Sequence, residues 1–187
     1  MAVTRSARLG LLLLCLLAWP TAAQQFDPAH TRFGFEVRTR WGPRIAGTFP
    51  DYDGEVSALP DGRHQVRIRL ATRSVEVAGS PRYAALARGR YFFDAENYPL
   101  IEFVSEPYAD TLLRDGGPLR GTLSLHGTRH VETFGLEAAT CARPGRDCDV
   151  VARGSVRRED YGLDSWQLAL HARVSFTMRV RLRDQSL

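Results

Sequence analysis

The chain has 187 residues, 44% of them hydrophobic and 25% charged, a balance that excludes a disordered chain. Its 25 basic residues, every one an arginine, face 21 acidic ones for a net charge of +4. The surplus is small and mostly alternates with apolar residues along extended segments, which argues against a nucleic-acid binder.

Residues 1–23 have the grammar of a cleaved secretory signal peptide. Arg5 and Arg8 form a basic region, Leu9 to Ala18 an apolar stretch, and Thr21-Ala22-Ala23 a small-residue cleavage site before Gln24. The apolar stretch is short of the roughly 20 residues that span a bilayer, and Cys15 lacks the small residues that precede a lipid-modified cysteine. The expectation is a secreted, periplasmic protein whose residues 24–187 form one domain. Cleavage lowers its net charge to +2.

From Arg32 onward, period-two segments recur between turn signals, the signature of half-buried strands. Phe33, Phe35 and Val37 alternate with Arg32, Gly34, Glu36 and Arg38. Strands follow through Ile45 to Phe49, Gly54 to Leu59 and, after the Pro60-Asp61-Gly62 turn, Val66, Ile68 and Leu70. Pro81 to Arg90 breaks the pattern with good helix formers and predicts a short helix. Extended chain resumes at Ile101 and Phe103, then at Leu123 and Leu125, which lead into a loop at 126–130. Phe134, Leu136 and Ala138 follow, then Val150 to Val156. Finally, every even position from Trp166 to Leu182 is apolar. At about 3.3 Å per residue that run is too long for one strand, so a bend is expected near Ser165 to His171. Some eight or nine antiparallel strands define a sandwich or a barrel.

Cys141 and Cys148 flank a Pro144-Gly145 turn and read as a loop-pinning disulfide, with a metal half-site as the weaker alternative. Catalytic groups are sparse. No Gly-x-Ser-x-Gly elbow is present, and Asp115-Gly116-Gly117-Pro118 reads as a hairpin turn, not a phosphate loop. His126 and His130 are spaced for a helical metal site but fall in a strand-to-strand loop, and nothing brings His30 to them. Neither an enzyme nor a metal protein is expected. What remains is a wealth of aromatic rings, which either fill a core or line the lumen of a barrel around an apolar ligand.

Several motifs resemble those of the YceI family. Asp27-Pro28-Ala29-His30-Thr31 leads into Phe33-x-Phe35-x-Val37, and Gly47-x-Phe49 into Tyr52-x-Gly54. Arg82 and Leu86 precede Phe92-Phe93-Asp94, Tyr98-Pro99 and Ile101-x-Phe103-x-Ser105. Gly121-x-Leu123-x-Leu125-His126-Gly127 and Arg158-x-Asp160-Tyr161-Gly162-Leu163 complete the series. The chain departs from the family at Thr39, at Tyr83-Ala84-Ala85 and in the cysteine loop.

The resemblance implies a lipocalin-like antiparallel β-barrel of about eight strands, with a short helical segment near 81–90, that binds a long prenyl or acyl chain in its lumen. The lining expected from alternation is Phe33, Phe35, Val37, Phe49, Phe103, Leu123, Leu125, Phe134, Trp166, Phe176 and Met178. Arg38, Arg40, Arg44 and Arg82 are the candidates for a rim that meets a polar head. The implied role is a non-enzymatic periplasmic carrier of an amphipathic lipid such as a polyisoprenoid or an isoprenoid quinone, with transient membrane contact and no other cofactor. The alternative is a filled-core interaction module without lipid, partnering a membrane redox protein.

Overall fold

Apolar residues alternating with arginines and other polar residues can satisfy both solvent and core only as extended chain. The computed structural model, which describes residues 23–183, turns these runs into strands. They are β1 (Gln24–Gln25), β2 (Arg32–Thr39), β3 (Arg44–Thr48), β4 (Tyr52–Ala58), β5 (His64–Ala71), β6 (Glu76–Val77), β7 (Leu100–Ser105), β8 (Gly117–Leu125), β9 (Thr128–Leu136), β10 (Val150–Arg157) and β11 (Leu170–Val180). All belong to one curled antiparallel sheet in the order β1-β4-β5-β7-β8-β9-β10-β11-β2-β3-β6. The two edge strands have only two residues each, which leaves little unpaired backbone to recruit another chain. They are also too short for alternation to flag, so the sheet has eleven strands where about eight were expected.

The concave face carries one continuous apolar cluster. Register explains how it is assembled: β11 sets Val174, Phe176 and Met178 opposite Val37, Phe35 and Phe33 of β2, and opposite Val156, Gly154 and Ala152 of β10. The expected bend is present. Residues 165–169 are turns, β11 begins only at Leu170, and its pairing to β2 is irregular up to Val174.

Helix α1 (Pro81–Arg88) starts where Ser80 Oγ accepts from the Tyr83 amide and Pro81 needs no amide partner. It buries Ala84 and Ala87, whose small side chains bring it close to the sheet. A second helix, α2 (Asp110–Asp115), was not foreseen; Asp115 to Pro118 reads as a hairpin turn but is this helix's exit. Two more expectations shift at the β8–β9 hairpin. Its loop is only His126-Gly127, both at positive φ, so His130 lies inside β9. The expected signal peptide lies outside the described residues, apart from Ala23. Among the described residues no helix is long and apolar enough to cross a membrane.

Candidate functional site

Inward-facing residues of β2, β5, β7, β8, β9, β10 and β11 enclose a lumen divided into a row of cavities. At one end a cavity of about 250 Å³ lies beneath α2, the cysteine loop and the N-terminal segment. Phe26, Ile68, Phe103, Tyr108, Met178 and Leu182 are among its walls, with His64, Asp110 and Arg146 at its margin. The Cys141–Cys148 disulfide, with Cα atoms 6.0 Å apart, clamps the loop that covers it. Within that loop Gly145 accepts from the Leu182 amide at 2.7 Å, stitching the cover to the end of the last strand.

At midline the lumen narrows to about 30 Å³ between Phe33, Phe49, Phe103, Leu123, Phe134, Phe176 and Met178. Phe103 and Phe134 meet edge to face at 5.1 Å. Each ring lies flat on a glycine of the neighbouring strand: a Cβ at Gly121 or Gly154 would stand 2.5 Å from Phe103 or Phe134. Those glycines are what let the rings lie against the wall.

At the other end a cavity of about 330 Å³ opens between α1, the β2–β3 hairpin and the 164–169 loop. Phe35, Val37, Trp41, Leu86, Phe92 and Trp166 are among its lining, which contains no charged side chain. Between this mouth and the midline sits a gap of about 10 Å³ bounded by Phe92, Phe93, Leu125, Arg158, Leu163 and Phe176. Phe92 is common to the gap and the mouth, Phe176 to the gap and the midline, and Ile68, Phe103 and Met178 to the midline and the far cavity. The cavities therefore lie in a row along the barrel, separated by these shared side chains.

Ten of the eleven expected lining residues are buried inside it. Trp166 is the exception. It lies in the 165–169 turns at φ 67° and is 50% exposed, so the alternation that starts at Leu170 does not extend to it. It lines the mouth from outside. The expected rim arginines surround the mouth without lining it. Arg38 and Arg82 are exposed, Arg44 pairs with Glu36 on the outer face at 3.3 Å, and Arg40 Nε donates to the Gln167 carbonyl at 2.8 Å.

The charged residue inside is one the sequence reading left unassigned. Arg158 is 2% exposed, and burial holds its guanidinium below the ordinary arginine range, with the charge of Asp164 opposing the shift. Its Nη2 donates to the Ser165 carbonyl, and its Cζ stands 5.3 Å from the centre of the Phe92 ring. The signal was available: Ala152, Gly154 and Val156 set the inward phase of β10, and the next position of that phase is Arg158.

The histidines do not form a metal site. His126 Nδ1 donates to the Tyr161 carbonyl at 3.2 Å and His130 Nε2 to the Asp160 carbonyl at 2.9 Å, so both hold the turn that follows Arg158. Tyr161 is fully buried, donates to Glu132 Oε1 at 2.8 Å and is pushed well above the ordinary tyrosine range by desolvation and that carboxylate. His30 pairs with Asp27. Among the described residues no group of three His, Cys, Asp or Glu could hold a metal ion.

A curled antiparallel sheet around an apolar lumen, with a disulfide-pinned loop over one end, defines a lipocalin-like barrel. The chain belongs to the YceI-like domain family, whose sequence profile matches residues 24–183. No curated protein matches it. Among solved structures it is similar to BcnA of Burkholderia cenocepacia, with 15% identity over 83% of this chain and 98% of that one and a TM-score of 0.66. It is similar to a polyisoprenoid-binding domain from Saccharophagus degradans implicated in plant cell wall breakdown, with 14% identity, 86% and 97% coverage and a TM-score of 0.63. A YceI protein of Campylobacter jejuni matches with 18% identity, 74% and 85% coverage and a TM-score of 0.60.

Proposed function

We propose that this protein is a non-catalytic periplasmic carrier that holds one long-chain amphipathic lipid, a polyisoprenoid or a quinone-like molecule, along the barrel. The observation that carries this reading is the row of mainly apolar cavities from the mouth to the far end of the barrel. Of its two larger cavities, the one of about 330 Å³ sits at the lower end of the roughly 300–1,000 Å³ usual for ligand pockets and the one of about 250 Å³ falls just below it. Each methylene withdrawn from water contributes about 0.8 kcal/mol, so an extended chain binds tightly with few polar contacts. The rings at midline must turn aside for it. The disulfide, together with the signal peptide expected from the sequence, supports an oxidising compartment.

The same reading places the mouth against an anionic bilayer. Trp41, Tyr83, Leu86 and Trp166 line it and are all exposed, and Leu168 beside them is 88% exposed. Arg38, Arg40, Arg82 and Arg90 flank it and, among the described residues, have no carboxylate in ion-pair distance, which leaves their charge to lipid phosphates.

The midline constriction of about 30 Å³ favours the second reading, a filled-core module that carries no lipid. Native mass spectrometry of protein from an oxidising periplasm, followed by organic extraction, separates them. A stoichiometric prenyl or acyl species establishes the carrier. An apo mass that gains nothing from added quinone or polyprenyl lipid establishes the filled core.

A further inference from the structure

We propose that Arg158 is the polar anchor of the lumen, binding the anionic oxygens of a carboxylate or phosphate head while the tail runs past Phe176 towards the capped cavity. The inference rests on the carrier reading and deepens it. The sequence offers Arg38, Arg40, Arg44 and Arg82 as rim candidates for a polar head; the proposal puts the anchor inside instead.

Along the path from mouth to midline, Arg158 is the one charged lining residue. A buried cation is strongly unfavourable unless a counter-charge and hydrogen-bond acceptors meet it. Among the described residues, the buried polar side chains other than Arg158 have partners: Thr31 and Thr72 donate to carbonyls, and Ser105 accepts from the Val66 amide. Arg158 has the Ser165 carbonyl and the Phe92 ring, and the charge of Asp164 acts on it, but among the described residues no carboxylate stands within ion-pair distance. Its Nε is the single buried side-chain polar atom among the described residues that lacks a hydrogen-bond partner. A guanidinium has five N–H donors in a planar fork matched to an oxyanion, so the unmet capacity has a definite chemistry.

The neighbourhood supplies a route. Phe92 is the side chain that lines both the mouth and the gap at Arg158. Swinging that ring aside joins the two spaces and exchanges a cation–π contact for an ion pair in the same dry surroundings. Ser165, which accepts from Arg158, is next to Trp166 at the mouth. Head binding is thereby connected to the loop that flanks the opening.

The test compares three ligands of one chain length, oleate, oleyl phosphate and oleyl alcohol, on wild type and Arg158→Met. Wild type is expected to prefer the anions. Arg158→Met is expected to lose about 10- to 100-fold of its affinity for them and to keep its affinity for the alcohol. A purely structural clamp on the 164–169 loop would not create that discrimination. Selective loss of oleate alone names a carboxylate head, and of oleyl phosphate alone a phosphate head. Because the variant can fail to fold, carboxyl-labelled ¹³C oleate bound to wild type gives a second measurement: its carboxylate should titrate below the free value. An unshifted titration, or wild type binding alcohol and anions equally, overturns the anchor while leaving the carrier standing. Failure of wild type to bind any of the three overturns the anchor, while the carrier reading is judged separately by the quinone and polyprenyl additions in the native mass spectrometry.

Discussion

At the capped end of the barrel, a disulfide and a mesh of polar contacts fasten the cover. Arg143 grips Asp147 at 2.7 and 2.9 Å, Arg181 meets Asp149 at 2.8 Å, Arg146 reaches Gln24 at 3.1 Å and His64 meets Asp110 at 3.1 Å. At the mouth, α1 and the 164–169 loop rest on apolar contacts, with Arg40 and Arg158 each holding a loop carbonyl. Exposed ion pairs are individually weak, but the covalent clamp and the strand-to-loop bonds make opening the capped end costlier than parting the mouth. For the proposed carrier, the difference predicts a direction: ligand would pass at the aromatic end, with its tail towards the clamped one.

The most severe way to break that comparison is Phe176→Arg, which puts a charge where the gap and the midline share a wall. Lipid copurification should vanish, while Leu168→Arg outside the mouth keeps the lipid and changes stability by no more than about 0.5 kcal/mol. A folded Phe176→Arg protein that still carries lipid would take Phe176 out of the path.

Two tests act on the capped end alone. Replacing Cys141 and Cys148 with serine should cost about 2–3 kcal/mol by the chain-entropy argument. Hydrogen exchange should rise around 141–149 and stay unchanged at 164–169; a uniform rise would mean that the ends are not separately fastened. Tyr108 beneath the cover offers a pH handle. Burial, reinforced by the charge of Asp110, pushes it up to about 12 from the ordinary 10. Below pH 10 both folded and unfolded chains keep the proton and the contribution of Tyr108 is intact. Between pH 10 and 12 the unfolded chain releases its proton first, so stability falls by roughly 2–3 kcal/mol in all. Urea unfolding of Tyr108→Phe across this range should show a shallower decline than wild type. Some slope will persist, because Tyr52 and Tyr161 are also raised.

Alternation made much of this legible before any coordinates. It placed Phe33, Phe35, Val37, Phe103, Leu123, Phe134, Phe176 and Met178 on one face, because a strand's side-chain period is fixed by its backbone. Composition placed α1, and spacing placed the disulfide. What alternation does not encode is depth. It put Trp166 in phase with β11 although the chain turns before Leu170, and it says nothing of where rings close a lumen into separate cavities. Arg158 was missed for the converse reason: arginine is usually solvated, so the charge outweighed the inward phase that Val156 had set. Helix α2 is six residues, too short for a 3.6-residue period to show.

The mildest test asks whether the aromatic end alone meets a membrane. The chain's three tryptophans are Trp19, in the expected signal peptide, and Trp41 and Trp166, which line the mouth. Intrinsic fluorescence of the mature protein thus reports on that end and on nowhere else. Anionic vesicles should shift the emission to the blue as the indoles leave water for the interface, where an amphipathic ring is at home. Zwitterionic vesicles should do so less, since the flanking arginines then have no surface charge to meet. Replacing both tryptophans with aspartate should weaken vesicle association about tenfold, roughly 1.4 kcal/mol, without moving the unfolding midpoint. Equal association before and after that change, or association insensitive to salt, would mean that the exposed rings are not a docking rim. The path from mouth to cap would then have to fill from solution or from a protein donor.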